Sequence, residues 1–340
     1  MKKIVNFILK ALSFVGVFLL VTVITLYATF LLICYGPSKK ARNIFVTTFL
    51  ETGAFKFVVG LVLPDSKVQE IVDSNSLAEM TSDVDTELIE VKASEEIEIE
   101  EVTGSNFFGT MMIVHDPSKV FVGTTKPFSE YGKTLDEIVK NFDAIGGING
   151  GIYQSSANKG GYPMGVVVSQ GEIVWNSPYG VGYYMVGFDE NNILRILSVS
   201  GLSTDQVEKL VADEKIRDAV TFQEEASDAN NHFVKLIVNG EKRESNGLGS
   251  GANPRTAIGQ REDGTVLLLV TDGRGASGHL GATANDLIEI MERYGAVNAA
   301  NIDGGSSSTM YYKDKYLMTS VTLYYSNSSW RLPEAFLIAK

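Results

Sequence analysis

The chain has 340 residues, 44% of them hydrophobic and 21% charged, with a formal net charge of −12. Residues 1–63 carry seven Lys or Arg against Glu51 alone, a net +6, so residues 64–340 carry −18. So acidic a surface argues against nucleic acid as a partner, and the single cysteine, Cys34, rules out a disulfide framework.

Residues 1–10 form a short basic N-terminus, with Lys2, Lys3 and Lys10. Ala11 to Ser38 carries no charge and is long enough for a bilayer core, which needs about 20 apolar residues. A transmembrane signal anchor is predicted over residues 11–36. The end of this segment, Ile33-Cys34-Tyr35-Gly36-Pro37, suits signal peptidase poorly, and a removed signal peptide is the alternative. Residues 37–63 are predicted as a juxtamembrane helix. Their apolar stretch from Ile44 to Leu63 is broken by Glu51, Gly53 and Lys56, and a charge at a helix centre costs about 2.5 to 3.5 kcal/mol on insertion scales. A helix lying on the membrane or on the folded domain is therefore expected rather than a second span. Residues 64–101 read as an acidic linker, ending in an edge strand where Ile97 and Ile99 alternate with glutamates.

Residues 102–340 read as one folded domain. Helix starts are marked by capping boxes at Thr134, Ser203 and Thr283, the last followed by an apolar face of Leu287, Ile290, Met291 and Tyr294. Strand patterns dominate elsewhere: Met111–Val114, Gly165–Val168, Tyr183–Phe188, Ile193–Val199, Phe233–Val238, Val266–Thr271, Ala296–Ile302 and Leu317–Tyr325. The predicted fold is α+β, a large mixed or antiparallel sheet core with a few packed helices behind an N-terminal transmembrane helix.

Four segments in this domain carry chemistry. Gly146-Gly147-Ile148-Asn149-Gly150-Gly151 surrounds one amide with glycines, either to meet a ligand or to make a turn. Asn253-Pro254-Arg255-Thr256 puts a guanidinium where a loop enters a strand, suited to bidentate contact with phosphate or carboxylate. Val266 to Thr271 runs into Asp272-Gly273-Arg274, and Ala296 to Ile302 runs into Asp303-Gly304-Gly305-Ser306. If the last two strands are neighbours, Asp272 and Asp303 share a sheet edge, where they divide acid and base roles or hold a cation such as Ca²⁺. Calcium is not required by this reading, and no cluster of Cys and His offers another metal site. None of the three histidines, His115, His232 and His279, has the context of a Ser-His-Asp triad, and His279 reads as a loop residue.

In order and spacing these segments resemble the phosphodiester glycosidase family over roughly Gly104 to Lys340. Gly281-Ala282-Thr283 before a helix and the closing Arg331-Leu332-Pro333 complete the likeness, although Ser328-Ser329-Trp330 departs from the family's more usual run there. The resemblance implies hydrolysis of the bond between a sugar's anomeric carbon and a phosphodiester oxygen, by an extracytoplasmic domain. It assigns Asp303, Asp272 and Asn149 to catalysis: Asp303 at the anomeric carbon or the attacking water, Asn149 at the sugar or that water, and Asp272 in support. Arg255 and Thr256, with Gly150, Gly151, Gly304, Gly305, Ser306 and Arg274, would hold the substrate and its phosphate. The expected partner is a sugar-phosphate or glycopolymer, for example an alpha-N-acetylglucosamine-1-phosphate diester of a cell-envelope or exopolysaccharide glycan. The alternative is a non-catalytic glycopolymer-binding or exopolysaccharide assembly protein.

Overall fold

The computed structural model describes residues 2–52, 56–154, 158–224, 232–275, 278–319 and 328–340. Among these residues the helices are α1 (Lys2–Tyr35), α2 (Lys39–Leu50), α3 (Lys56–Gly60), α4 (Asp65–Asp73), α5 (Leu135–Asn141), α6 (Thr204–Asp213) and α7 (Ala284–Arg293). The strands run β1 (Ile97–Thr103), β2 (Phe108–Val114), β3 (Val120–Thr124), β4 (Gly146–Asn149), β5 (Tyr153–Gln154), β6 (Tyr162–Pro163), β7 (Gly165–Ser169), β8 (Glu172–Ser177), β9 (Tyr183–Asp189) and β10 (Leu194–Ser198). They continue as β11 (Ile216–Gln223), β12 (Lys235–Val238), β13 (Glu241–Lys242), β14 (Thr256–Arg261), β15 (Val266–Thr271), β16 (Ala296–Ile302), β17 (Thr309–Tyr312), β18 (Lys315–Thr319) and β19 (Glu334–Ile338). Of the expected strand Leu317–Tyr325, residues 320–325 lie outside the described set.

Three antiparallel sheets enclose one core. Their orders are β1-β2-β15-β14-β16-β12-β13, β10-β9-β11-β7-β8 and β18-β17-β4-β19-β3. Val266-Leu267-Leu268-Leu269-Val270 is apolar at every position because both faces of β15 are covered. Val266, Leu268 and Val270 join Ile148, Val186 and Phe336 from the other sheets, while Leu267 and Leu269 pack with Leu287, Ile290 and Met291 of α7. The capping boxes at Thr134, Ser203 and Thr283 form as predicted and start α5, α6 and α7. Each helix covers the outer face of a different sheet.

The N-terminal region is built differently. α1 is long and apolar enough to cross a membrane by length and composition. The single helix expected over 37–63 is two helices here. α2 ends at Leu50 with Glu51 as its cap, the Glu51 side chain pairing with Arg255 of the domain, and α3 starts at Lys56. With the end of α1 and with α4 they share a small core of Cys34, Phe45, Val46, Val59, Leu63 and Ile71. Residues 64–101 contain α4 and the start of β1, which is the edge strand of the seven-stranded sheet.

Strand direction places the chemistry. β14 lies between β15 and β16 and runs antiparallel to both, with Thr256 level with Val270 and Ile302. The ends of β15 and β16 therefore emerge beside the start of β14. Asp272, Arg255 and Asp303 leave the sheet at one edge, although the two acids are two strands apart and not neighbours.

Candidate active site

A joint between two sheets holds Asp303 in place. The Asn149 amide, at the end of β4, donates to the Asp303 carbonyl at 2.6 Å. Its oxygen accepts from the Thr256 hydroxyl at 2.8 Å and from the Thr309 amide at 3.2 Å. Asn149 and Thr256 are both fully buried. The resemblance puts Asn149 at the sugar or the attacking water, but its side chain is engaged at both ends inside the fold. Gly150 and Gly151 are also packing positions: a Cβ on Gly151 would stand 2.2 Å from the Thr221 carbonyl oxygen, and one on Gly150 would stand 2.9 Å from the Glu334 Cγ.

Asp303 itself faces a cleft of about 150 Å³ lined by Glu51, Phe222, His232, Asn253, Arg255, Arg274, Gly304 and Gly305. Burial in this cleft pushes its carboxyl up from an ordinary 3.8 to about 7, against the opposing effects of the Ser307 hydroxyl, the Gly304 amide and the Arg274 guanidinium. A carboxyl poised there suits proton transfer near neutral pH. The Tyr153 hydroxyl lies 2.9 Å from Ser307 Oγ, and burial raises this phenol far above its usual range.

The two arginines divide. Arg274 is exposed, has φ +55°, and donates from Nη1 to Ser306 Oγ at 2.7 Å. Its guanidinium lies over Gly305, where a Cβ would stand 2.7 Å from Nη2. Arg255 is buried. Its Nη2 donates to Glu51 Oε2 at 2.6 Å and to the Gly251 carbonyl at 2.8 Å, and its guanidinium lies 5.1 Å from the centre of the Phe233 ring. The predicted phosphate clamp is thus already paired, with a carboxylate from α2. Asn253 Nδ2 donates to the same Glu51 at 3.0 Å, and the Gly251 amide donates to its other oxygen. A Cβ at Gly251 would stand 2.7 Å from the Thr47 carbonyl oxygen, so only glycine lets α2 lie this close.

Asp272 is not brought together with Asp303 as a carboxylate pair. It is buried, accepts the Phe108 amide at 2.7 Å, and pairs with His279 Nδ1 at 2.7 Å. Among the described residues, the group of metal-type side chains drawn together is Glu96, just before β1, Glu98 on β1 and His115, just after β2.

Sequence reasoning missed two carboxyls. Glu51 had a signal: it is the lone acid among the first 63 residues. Glu334 opens β19 just before the apolar run Ala335 to Ile338, and is 1% exposed. Its burial raises its carboxyl well above the ordinary range, and Asp303 adds to the effect.

Comparison with known proteins bears on the fold and the family. The fold is similar to the catalytic domain of zebrafish N-acetylglucosamine-1-phosphodiester alpha-N-acetylglucosaminidase, auto-inhibited by its pro-peptide, with a TM-score of 0.52 and 19% identity over 78% of this chain and 87% of that one. A putative exported protein of Burkholderia pseudomallei matches with a TM-score of 0.43 and 14% identity, over 69% of this chain and 74% of that one. In sequence, 65 residues are 42% identical to the SPbeta prophage-derived uncharacterized protein YomE of Bacillus subtilis, covering 19% of this chain and 10% of that protein. The family model for phosphodiester glycosidases matches residues 142–339, a span that takes in the sheet joint, the Arg255 and Arg274 loops, Asp303 and Glu334. On that match, over more than half of its length, the chain belongs to the phosphodiester glycosidase family.

Proposed function

We propose that this protein is a membrane-anchored extracytoplasmic hydrolase that cleaves the glycosidic bond of sugar-1-phosphodiesters in cell-envelope or exopolysaccharide glycans. The observation that carries the reading is Asp303 poised near pH 7 in a cleft that also holds the exposed cation Arg274. In this reading Asp303, as the carboxylate, takes a proton from water as the water attacks the anomeric carbon. The bond from that carbon to the phosphodiester oxygen breaks, and the phosphate leaves with the bonding pair as a monoester. Charge neutralisation matters more to such a leaving group than a strong acid does, and Arg274 sits where it supplies that neutralisation. The apolar α1 supports the anchor.

Glu51 adds a condition. The cleft, at about 150 Å³, is well under the roughly 300–1,000 Å³ of ordinary ligand pockets, and the Glu51 carboxylate takes up donors suited to a phosphate's oxygens. The similar zebrafish domain is auto-inhibited by a pro-peptide. By the same logic the docked α2 holds this chain in a restrained state, and substrate entry requires Glu51 to leave Arg255.

The test is sugar release from a panel of sugar-1-phosphodiesters, alpha-N-acetylglucosamine-1-phosphate esters included, by the full chain in detergent beside Asp303→Asn and Glu51→Gln. Release that is lost in Asp303→Asn supports the hydrolase and names the sugar. No release by the full chain or by Glu51→Gln, with glycan binding retained, favours the non-catalytic glycopolymer-binding alternative.

A further inference from the structure

The buried acids of this domain fall into two kinds. Asp218 accepts the Val122 and Gln170 amides and pairs with Arg217; Asp189 accepts the Asn191 and Ile193 amides; Asp272 accepts the Phe108 amide and pairs with His279. Each has donors of the fold at its oxygens. Glu334 is the other kind. It is 1% exposed, and among the described residues neither carboxyl oxygen has a partner in good hydrogen-bond geometry, the Gly151 amide being the one donor near enough to act on it. Such burial without compensation costs stability, and folds retain it where the group has a use.

Its position says what that use is. Asn149 holds the Asp303 carbonyl, and the next residue, Gly150, lies so close to Glu334 that a Cβ would stand 2.9 Å from both its Cγ and its carbonyl oxygen. The Asn149–Gly150 segment therefore reaches both residues, the Asp303 carbonyl through the Asn149 side chain and Glu334 through the Gly150 backbone. The ionisable groups that influence each other here are Asp303, at the end of β16, and Tyr153, of β5; the Gly151 amide eases the ionisation of Glu334. No cation reaches Glu334 among the described residues, whereas Asp303 has Arg274 in front of it. Two carboxyls in one buried site do not both ionise readily, and the one that faces a guanidinium loses its proton first.

We propose that Glu334 is a positioning residue for the hydrolysis, a carboxyl kept neutral behind Asp303 so that Asp303 alone carries the negative charge of the site. This rests on the hydrolase reading of the cleft. While Glu334 keeps its proton, Arg274 faces one negative charge and has attraction left for a phosphodiester. Once Glu334 ionises, a second charge lies behind the first and repels the anionic substrate.

The experiment is the pH profile of kcat/KM for the full chain in detergent, for Glu334→Gln and for Glu334→Asp, with infrared spectra of the same samples. The wild type should rise through about pH 7, as Asp303 ionises, and fall at higher pH by roughly tenfold per pH unit. Glu334→Gln cannot ionise and should keep the rise, at lower height, while losing the fall; Glu334→Asp should restore the fall. At pH 8 the infrared band of a protonated carboxylic acid should be present in the wild type and absent in Glu334→Gln. The inference is overturned if that band is missing from the wild type, or if Glu334→Gln keeps the alkaline fall. A folded Glu334→Gln that is inactive at every pH also overturns it, because Glu334 would then be donating its proton in the reaction itself. Turnover without the band sinks the inference alone, whereas a wild type that cleaves no ester sinks the hydrolase reading and this role with it.

Discussion

The ends of β15 and β16 are written alike, an apolar strand running into Asp and Gly, and yet they do different things. Asp272 is held by the Phe108 amide and His279. Asp303 sits in the cleft with too little compensation, and burial carries it to about 7. Strand grammar delivers a carboxyl to an edge; what the neighbouring chain segments place around it decides whether it titrates near neutral pH. Here the difference comes from the burial of Asp303 in the cleft and from the start of β2 and His279 beside Asp272.

That contrast is broken most severely at Asp303. Asp303→Asn should lower kcat by about 100- to 10,000-fold while leaving glycan affinity largely intact, as measured by sugar release and calorimetry. The same variant carries a stability signature. Because the fold raises this carboxyl, its contribution to stability is complete below about pH 4 and is lost as the pH rises through about 7. Denaturant unfolding at several pH values should show that loss in the wild type and a flatter profile in the variant. Next in size is Arg274→Ala, expected to cost about 100- to 1,000-fold in kcat/KM and to shift the Asp303 midpoint upward, since a cation that favours its ionised form is gone. An unmoved midpoint would mean that this guanidinium faces elsewhere in solution.

Smaller effects sharpen the contrast. Glu51→Gln should raise kcat/KM severalfold, because the amide gives up the charge that ties α2 to Arg255; a lower rate would make Glu51 a working part of the site. Asp272→Asn should leave the pH midpoint of turnover near 7 and cost about 1–3 kcal/mol in stability through the loss of the His279 and Phe108 contacts, read as a shift in urea midpoint. A moved midpoint there would restore the idea of two cooperating acids.

Much of the fold was legible because its signals are local. The Val266–Thr271 run is a strand with the predicted bounds, the three capping boxes start helices, and Asp303 stands at a strand end as its sequence implies. What could not be read depends on pairing. The alternation of Asp272 and Asp303 about β14 is a matter of strand order, which no single strand encodes. Asn149, set among glycines, looks like a ligand-binding amide, and only the meeting of two sheets shows that its four polar contacts are internal. Glu51 and Arg255 are 204 residues apart, so their ion pair leaves no trace in local pattern. Glu334 had the weakest signal, one acid after a proline at the mouth of an apolar strand.

The Asn149 joint has a mechanical consequence. Because one side chain ties the backbone of Asp303 to the starts of β14 and β17, the acid cannot shift unless two sheets slide against each other. The chemical floor of the cleft is therefore stiff, and adaptation to a longer or bulkier glycan falls to the rim, where the Arg274 loop and the end of α2 sit. If Asp303 reacts as proposed, a change of substrate can evolve without re-tuning it, since the rim and the floor of the cleft are different pieces of chain.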